Sequence, residues 1–180
     1  TKMNYGLQAG ACIKIPFESR LFFTPAFFYS LKGYKVTFNR FATPPDVNAS
    51  DNNIRVHCFE LAPLLQVDLG AAPNHFYIKA GPSMDVQLFG HEKYNLQSGG
   101  SVSRKMKFSF ADYGYVSFNF LAMLGYETAN GFMIYAHYSL GLSSISNADE
   151  GPEIKHRAFG ISFGKYLHHG KIVLDTRNRE

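Results

Sequence analysis

Three side chains in the second half of the chain have the chemical types of a nucleophile, a base and an acid. His137 and Ser139 lie two residues apart in an alternating stretch, so both would face one side of a β-strand, and Glu127 lies on the preceding predicted strand. A serine activated by a histidine that an acid orients is typical of hydrolases. No nucleophile-elbow motif surrounds Ser139, however. We therefore interpret the trio as packed polar residues, predict no catalytic residue, and expect a protein that is not an enzyme.

Metal-binding and disulfide chemistry have few candidate residues. His168 and His169 are adjacent and could bind a metal, but they are more simply interpreted as exposed residues of a C-terminal tail. Cys12 and Cys58 have no second Cys or His at ligand spacing. Another strand separates their two predicted strands, and the two cysteines are predicted to lie at different positions along the strand direction. The resulting distance between them exceeds the reach of a disulfide. We predict two free thiols, no metal site and no cofactor.

A long β-hairpin, Phe118–Leu142, is the element that positions these residues. In both of its runs the even-numbered side chains are mostly apolar and the odd-numbered ones are mixed, as expected when successive side chains alternate across a sheet. The runs are joined by Thr128-Ala129-Asn130-Gly131. Asn and Gly tolerate the positive φ angles that tight hairpins require. The pattern predicts two antiparallel strands with one apolar and one mixed face.

The same alternation recurs along the chain and predicts an all-β protein. No run approaches the 18 apolar residues of a transmembrane helix. Aromatic residues make up 16% of the chain while the mean hydropathy is only −0.15, a combination that strict alternation produces. The seven predicted strands are Asn4–Phe17, Leu21 to about Phe38, Ile54–Asp68, His75–Gly90, Phe108–Glu127, Phe132–Leu142 and His156–Leu167.

The connections between these strands alternate between short and long. Long polar links at Asn39–Asn53, His91–Lys107 and Ser143–Lys155 are separated by short turns. This arrangement is typical of outer-membrane barrels, in which turns face the periplasm and loops face outside. Closure with both termini in the periplasm requires an even strand count, so an eighth strand is expected before Thr1 or from the tail. We predict a closed antiparallel up-and-down transmembrane β-barrel at residues 1–167 and a tail at residues 168–180.

The predicted inner face carries charges of both signs. Eight strands enclose a space that side chains fill, so these charges are expected to pair and the barrel is not expected to conduct. The charged residues are Lys14, Lys32, Glu60, Asp68, Lys79, Asp85 and Glu127, and the bulky lining residues are Phe22, Phe28, Tyr77, Tyr113, Tyr115 and Tyr135. A soluble lipid-binding β-barrel, which remains an alternative, would turn its charged face outward.

Four segments resemble the PorT-like outer-membrane β-barrel family of Bacteroidota. The matching motifs are Pro25 with Tyr29-Ser30-Leu31-Lys32-Gly33, Glu60-Leu61 with Pro63-Leu64-Leu65, Gly81-Pro82, and Gly125-Tyr126-Glu127, in the order in which the family shows them. Ala62 is an insertion relative to that pattern. The resemblance implies an outer-membrane barrel that usually has one more strand before this segment, and it implies a link to a secretion system for the member that gives the family its name.

The predicted function rests on the predicted fold class and cellular location and not on a sequence motif. We expect a small integral protein of the bacterial outer membrane with a structural, adhesion or assembly role through its loops. The expected partners are outer-membrane lipids and, through the loops, other envelope proteins. The net charge is +4, but Lys and Arg are dispersed, so no nucleic-acid partner is expected. An outer-membrane enzyme with a site at the loop rim is a second alternative.

Overall fold

A computed structural model describes residues 2–3, 6–38, 45–109, 112–145, 155 and 157–167 of the chain. Every regular element in this described part is a β-strand, as the sequence predicts. The strands are β1 Lys2–Met3, β2 Leu7–Cys12, β3 Ile15–Glu18, β4 Leu21–Thr37, β5 Asp51–Asp68, β6 His75–Asn95, β7 Ser101–Lys105, β8 Val116–Glu127, β9 Phe132–Gly141 and β10 Arg157–Lys165.

The strands form one antiparallel sheet in which neighbours in sequence are neighbours in space. β1, β2 and β3 lie end to end along β4, and the order continues β4-β5-β6-β8-β9-β10, with β7 extending past β8 along β6. The sheet therefore has seven rows, as many as the predicted strands. This up-and-down order confirms the all-β antiparallel prediction.

The sheet is curled, and the described residues do not close it. β10 pairs with β9 alone and the β1–β3 row pairs with β4 alone. The curl brings distant strands together, because Lys14, between β2 and β3, lies 2.9 Å from both Asp68 of β5 and Glu127 of β8. The described chain is thus a curled half-barrel with two free edges.

Burial alternates along the strands in the predicted sense. On β8 the exposed side chains include Phe120 and Leu124, while Asn119 and Leu121 are buried. On β5 Glu60 is 0% exposed although Leu61 beside it is 42% exposed. Apolar side chains thus cover the outside and many polar ones face the inside, which is the reverse of a soluble domain.

The long link predicted at His91–Lys107 is wrong on both sides of its centre, because residues 91–95 and 101–105 are strands. Strand β6 continues to Asn95 and forms a hairpin with β7. A β-bulge explains the error: Cys58 pairs with Gln87 while His57 pairs with Phe89, so Leu88 is an extra residue. Before the bulge the odd-numbered side chains face inward, and beyond it the even-numbered ones do. A single alternating pattern therefore does not fit the whole strand, and the sequence analysis missed its continuation.

Two other predicted strands start or continue differently from the prediction. The first predicted strand is broken into two short pieces, β2 and β3. The fifth begins at Val116 instead of Phe108, after an irregular segment in which Tyr113 is 1% exposed but Tyr115 is 54% exposed. Tyr115 therefore faces outward, contrary to its predicted place in the lining, because the irregular segment interrupts the alternation.

The predicted short turns are confirmed, and one is formed differently from expectation. In the Thr128–Gly131 turn the amide of Gly131 donates to the Thr128 carbonyl at 2.8 Å, and Gly131 has a φ of 72°. Asn130 does not have a positive φ. Only one residue is left-handed because the hairpin uses a three-residue loop ending in glycine. We call this end of the sheet, with residues 19–20, 69–74 and 128–131, the short-turn end, and the opposite one the long-loop end.

Most of the long links lie outside the described residues. Residues 39–44 and 146–154 are outside the described residues, and so is His156 at the start of the last predicted strand. The proposed tail, 168–180, is also outside them. The division of the chain into a barrel and a tail therefore stays a prediction.

Candidate functional site

A buried ion-pair network occupies the middle of the interior. Lys32 reaches inward from β4 and its Nζ lies 2.7 Å from Asp85 Oδ2 and 3.3 Å from Glu60 Oε2. Asn119 donates to Asp85 at 3.0 Å, and Gln8 donates to Glu60 at 3.1 Å. A buried charge without a partner is strongly destabilising. The one cation and two carboxylates are therefore tied to each other and to amide groups, and they form a cross-linked interior rather than an open site.

A second polar network lies at the long-loop end, above the apolar outer face. Glu92 of β6 accepts from Arg104 Nε at 2.8 Å and from the Tyr113 hydroxyl at 2.7 Å, and Asn52 donates to it at 3.0 Å. Burial, with the adjacent Glu92 carboxylate, raises the pKa of Tyr113 well above its ordinary value. Tyr113 therefore stays protonated and donates to the carboxylate.

Apolar side chains pack around this second network. The buried cluster contains Tyr34, Ile54, Val56, Met106, Tyr113 and Ile145. It joins β4 and β5 to the irregular segments after β7 and β9. The long-loop end of the interior is therefore filled by packed side chains.

A third group lies at the short-turn end and combines two carboxylates, an imidazole and an ammonium. His75 Nε2 is 3.1 Å from Asp68 Oδ2 and 3.8 Å from Glu127 Oε2. Lys14 Nζ lies 2.9 Å from each of the same two carboxylate oxygens. A cleft of about 490 Å³ opens beside them, lined in part by Arg20, Phe22 and the residues of two short turns.

The outer face carries an apolar belt with aromatic groups near both of its ends. Toward the long-loop end the His57 ring stacks on Phe89 with centroids 4.3 Å apart, and the Tyr29 hydroxyl bonds to His57 Nδ1. Near the short turns Phe76 and Tyr126 meet edge to face at 4.8 Å. Outward apolar residues on β5 run from Phe59 to Val67, about the length that crosses a bilayer as a tilted strand. An apolar belt with aromatic girdles is the outer surface of a transmembrane barrel.

Comparison with known families agrees with this surface. Residues 1–147 match the family described as outer membrane protein beta-barrel domain. The chain belongs to this family. No curated protein and no solved structure matches the chain. Among the described residues no helix is both long and apolar enough to cross a membrane.

The predicted outer-membrane barrel class is thereby confirmed, and with it a small outer-membrane protein. The soluble lipid-binding alternative is disfavoured, because the barrel's charges face inward and its apolar side chains face outward. The match covers strands β1–β9 and ends before β10. The finer resemblance to the PorT-like group is not part of this finding.

The three residues weighed as a catalytic trio lie on the barrel's inner face but are not assembled. His137 Nδ1 is 3.3 Å from the Ser162 hydroxyl of β10, and its strand partner is Met123, four residues before Glu127. Four residues correspond to about 13 Å along a strand. Glu127 is instead bound to Lys14. His168 and His169 lie outside the described residues.

The thiol prediction is confirmed. Cys12 and Cys58 are both free. Cys12 lies opposite Ala26 and Cys58 opposite Ser30 on the intervening β4. The four-residue offset adds to the width of two strands, so the two sulfur atoms are beyond bonding distance.

The prediction that interior charges pair is confirmed for six residues and wrong for Lys79. Lys79 forms no ion pair among the described residues, although it is buried. Its Nζ lies 5.1 Å from the Tyr77 ring centroid. An aromatic face attracts a cation, so the ring takes the place of the expected carboxylate.

Sequence reasoning missed His75 and the Glu92 network. His75 was assigned only to the start of a strand, and Glu92 to a loop. The Arg104 and Tyr113 partners of Glu92 lie 12 and 21 residues away from it, and no spacing in the sequence links the three residues. The available signal was the renewed alternation after the bulge, in which Gly90, Glu92 and Tyr94 share one parity.

Proposed function

We propose that this protein is a closed eight-stranded barrel of the PorT-like group, with both termini in the periplasm of a Bacteroidota cell. The observation that carries the proposal is the inverted burial, with apolar side chains outside and ion pairs inside. An open sheet edge in hydrocarbon leaves backbone groups unpaired at several kcal/mol each. The free edges of β10 and of the β1–β3 row therefore favour an eighth strand between them.

The proposed role is structural, adhesive or in assembly of envelope complexes, without catalysis, and includes a link to a secretion system. Its support is that most interior charges are engaged with one another and that the trio of His137, Ser139 and Glu127 is separated. The β6–β7 hairpin extends beyond the apolar belt and ends in a turn at Gly99 and Gly100, both with positive φ. This hairpin and the long loops are the surfaces offered to other envelope proteins, and no nucleic-acid partner is proposed.

A row of basic side chains on the outer face supports lipids as partners. Arg55 of β5 pairs in register with His91 of β6, which pairs with Lys105 of β7, and all three are exposed directly above the belt. Lys93 is exposed one step further along β6. Cationic side chains at this height meet the phosphates of anionic headgroups. We infer that the long-loop end lies in the outer leaflet.

Cell fractionation combined with site-specific labelling tests the location and orientation. In a chain with Cys12→Ser and Cys58→Ser, a single cysteine is introduced by Lys105→Cys at the long-loop end or by Ala71→Cys at the short-turn end. The protein should appear in the detergent-extracted outer-membrane fraction. A membrane-impermeant maleimide applied to intact cells should label only the first variant.

Recovery of the protein without detergent would contradict the membrane location. Labelling of the Ala71→Cys variant alone would reverse the proposed orientation while leaving the location intact. Labelling of both after cell lysis shows that each cysteine is accessible in principle. These results separate the two parts of the proposal.

The lipid proposal has its own test. Native mass spectrometry of protein extracted in mild detergent should show retained anionic lipid that decreases when Arg55→Glu and Lys105→Glu are combined. Lys165→Glu is the matched control, since Lys165 is exposed near the short turns. Equal lipid retention in all three proteins would count against the basic row as a lipid contact.

A further inference from the structure

We propose that Asp68, His75 and Glu127 form a binding site for a divalent transition-metal ion, best fitted to Zn²⁺, at the short-turn end. One ligand atom from each residue lies within 4.8 Å of the others. The three side chains come from the end of β5, the start of β6 and the end of β8. Such an ion would tie together the ends of three strands.

The distances fit a tetrahedral ion. Zn²⁺ binds imidazole nitrogen and carboxylate oxygen at about 2.0–2.2 Å, so two ligand atoms on a tetrahedron are separated by about 3.4 Å. The observed separations are 3.1 Å from His75 Nε2 to Asp68 Oδ2 and 3.8 Å to Glu127 Oε2. These two separations therefore differ from the tetrahedral value by a few tenths of an ångström, and all three ligand atoms lie within 4.8 Å of one another. Three protein ligands leave the fourth position for water.

His75 is oriented as metal-binding histidines are. Its Nδ1 lies 2.9 Å from the Ala72 carbonyl oxygen, which can only accept, so Nδ1 carries the proton and donates. A backbone carbonyl on the second ring nitrogen is the usual outer-shell partner of a metal-bound histidine. In the neutral ring this leaves the lone pair on Nε2, directed at the two carboxylates.

The unpartnered Nε2 atom is the independent observation that points to a ligand. The His75 side chain is 10% exposed, and its Nε2 is buried and forms no hydrogen bond. Asp68 Oδ2 is close, but this contact does not have hydrogen-bond geometry. A lone pair facing carboxylate oxygens at such distances is repulsive unless a proton or a metal ion lies between them.

Lys14 shows that the carboxylates already attract a cation. Its Nζ contacts the same oxygens, Asp68 Oδ2 and Glu127 Oε2, that the metal would use. The Lys14 side chain is 16% exposed, and its Nζ lies 4.4 Å from the Phe22 ring centroid. A flexible four-carbon stem allows the ammonium to move aside toward that ring when an ion enters.

Access and ligand type favour zinc over harder ions. The cleft at the short-turn end is lined by all three proposed ligands, which gives the ion a path from solvent. Ca²⁺ and Mg²⁺ prefer sets of six or more oxygen ligands. A site with one imidazole and two carboxylates suits Zn²⁺.

Isothermal titration of the folded barrel in detergent with ZnCl₂ is the first measurement. We expect one ion per chain. Lys14→Met should tighten binding by about tenfold or more, because it removes a positive charge that competes for the same two carboxylate oxygens. His75→Gln should weaken it by about 100-fold or more, since even loss of an outer-shell partner costs about 10- to 100-fold. Co²⁺ should give the visible absorption of a four-coordinate ion.

Two control variants test whether His91 or the pair His168 and His169 binds the ion instead. His91→Gln removes an exposed imidazole of β6, and the combined His168→Ala and His169→Ala change removes the pair in the tail. Both should leave the stoichiometry and affinity unchanged. Circular dichroism and the heat-dependent shift in gel mobility confirm that each variant is folded.

Three results would overturn the proposal. They are absence of Zn²⁺ binding by the unmodified chain, equal affinity in the folded His75→Gln variant, and loss of binding with the tail pair. In the first case Lys14 is itself the permanent cation of the site. The proposal does not depend on the cellular role, because a barrel of any function can carry this ion.

Discussion

Lys32 is the side chain on which the charge balance of the interior depends. It is the cation shared by Glu60 and Asp85, and all three are at most 8% exposed. Burial of the hydrophobic outer face does not offset the loss of this cation, because the free-energy cost of an unpaired carboxylate arises at the buried carboxylate itself. Residues of this kind are where single substitutions have their largest effects.

Lys32→Met is therefore expected to lower the free energy of unfolding by about 3–5 kcal/mol, since it leaves two buried carboxylates without their cation. Urea unfolding of the refolded barrel in lipid vesicles measures this. The matched control is Lys35→Met, in which an exposed lysine loses its pair with Asp51 at a cost of about 0–1 kcal/mol. Equal effects of the two substitutions would show that the network does not carry interior charge balance.

At the scale of strands, neighbouring rows interlock through glycines and rings. Gly125 of β8 lies opposite Tyr77 of β6 and Tyr135 of β9. A Cβ built on Gly125 would be 2.5 Å from the Tyr77 hydroxyl oxygen and 2.8 Å from Tyr135 Cβ. Both rings face inward, so the absence of a side chain at Gly125 lets them fill the interior.

Gly125→Ala should cost about 1–3 kcal/mol of unfolding free energy through overpacking against these rings. Thermal or urea unfolding in detergent reads the change. Gly70→Ala is the control, because its Cβ would meet nothing closer than 3.5 Å. Combining Gly125→Ala with Tyr77→Leu should recover part of the loss, and strictly additive losses would contradict the proposed interlock.

The outward face of β8 gives a prediction for the apolar belt. Phe120 lies between the outward residues Pro82 and Leu140 of the two adjacent strands. Phe120→Arg should cost about 2–4 kcal/mol if this position lies near the bilayer midplane. Ile134→Arg on β9 should behave in the same way.

Folding equilibria in lipid vesicles measure these costs. Val47→Arg, an exposed apolar residue beyond the strands, is the control and should change stability by about 0.5 kcal/mol or less. The cost of Phe120→Arg should also fall in thinner bilayers. Arginine tolerated equally at both positions would mean that the belt does not face lipid.

For the whole molecule, the filled interior predicts that the barrel does not conduct ions. The Lys32 ion-pair network occupies the middle of the interior. The buried apolar cluster that contains Tyr34 and Ile145 occupies its long-loop end. A barrel of the proposed eight strands leaves no more room than side chains fill. Planar-bilayer recording of the purified barrel should show no stable open level, and a reproducible conductance would place the functional surface in the lumen.

Fold class was determined by the sequence because alternation is local. A strand's inward and outward faces follow from a period of two, so the parity of Phe118–Leu142 and of β5 could be assigned without knowing their neighbours. The short turns and the free thiols could also be derived, since both depend on strand order. The alternation failed where a bulge at Leu88, an irregular segment before Val116 and the break between β2 and β3 changed the period.

The partners of the inward side chains were decided only by the tertiary structure. Asp68, His75 and Glu127 are separated by up to 59 residues, and their meeting at one end depends on the register of three strands and the curl of the sheet. A one-residue change in register would turn each to the opposite face. Parity places a side chain inside, but the curvature of the sheet selects which carboxylate, ring or imidazole it contacts there.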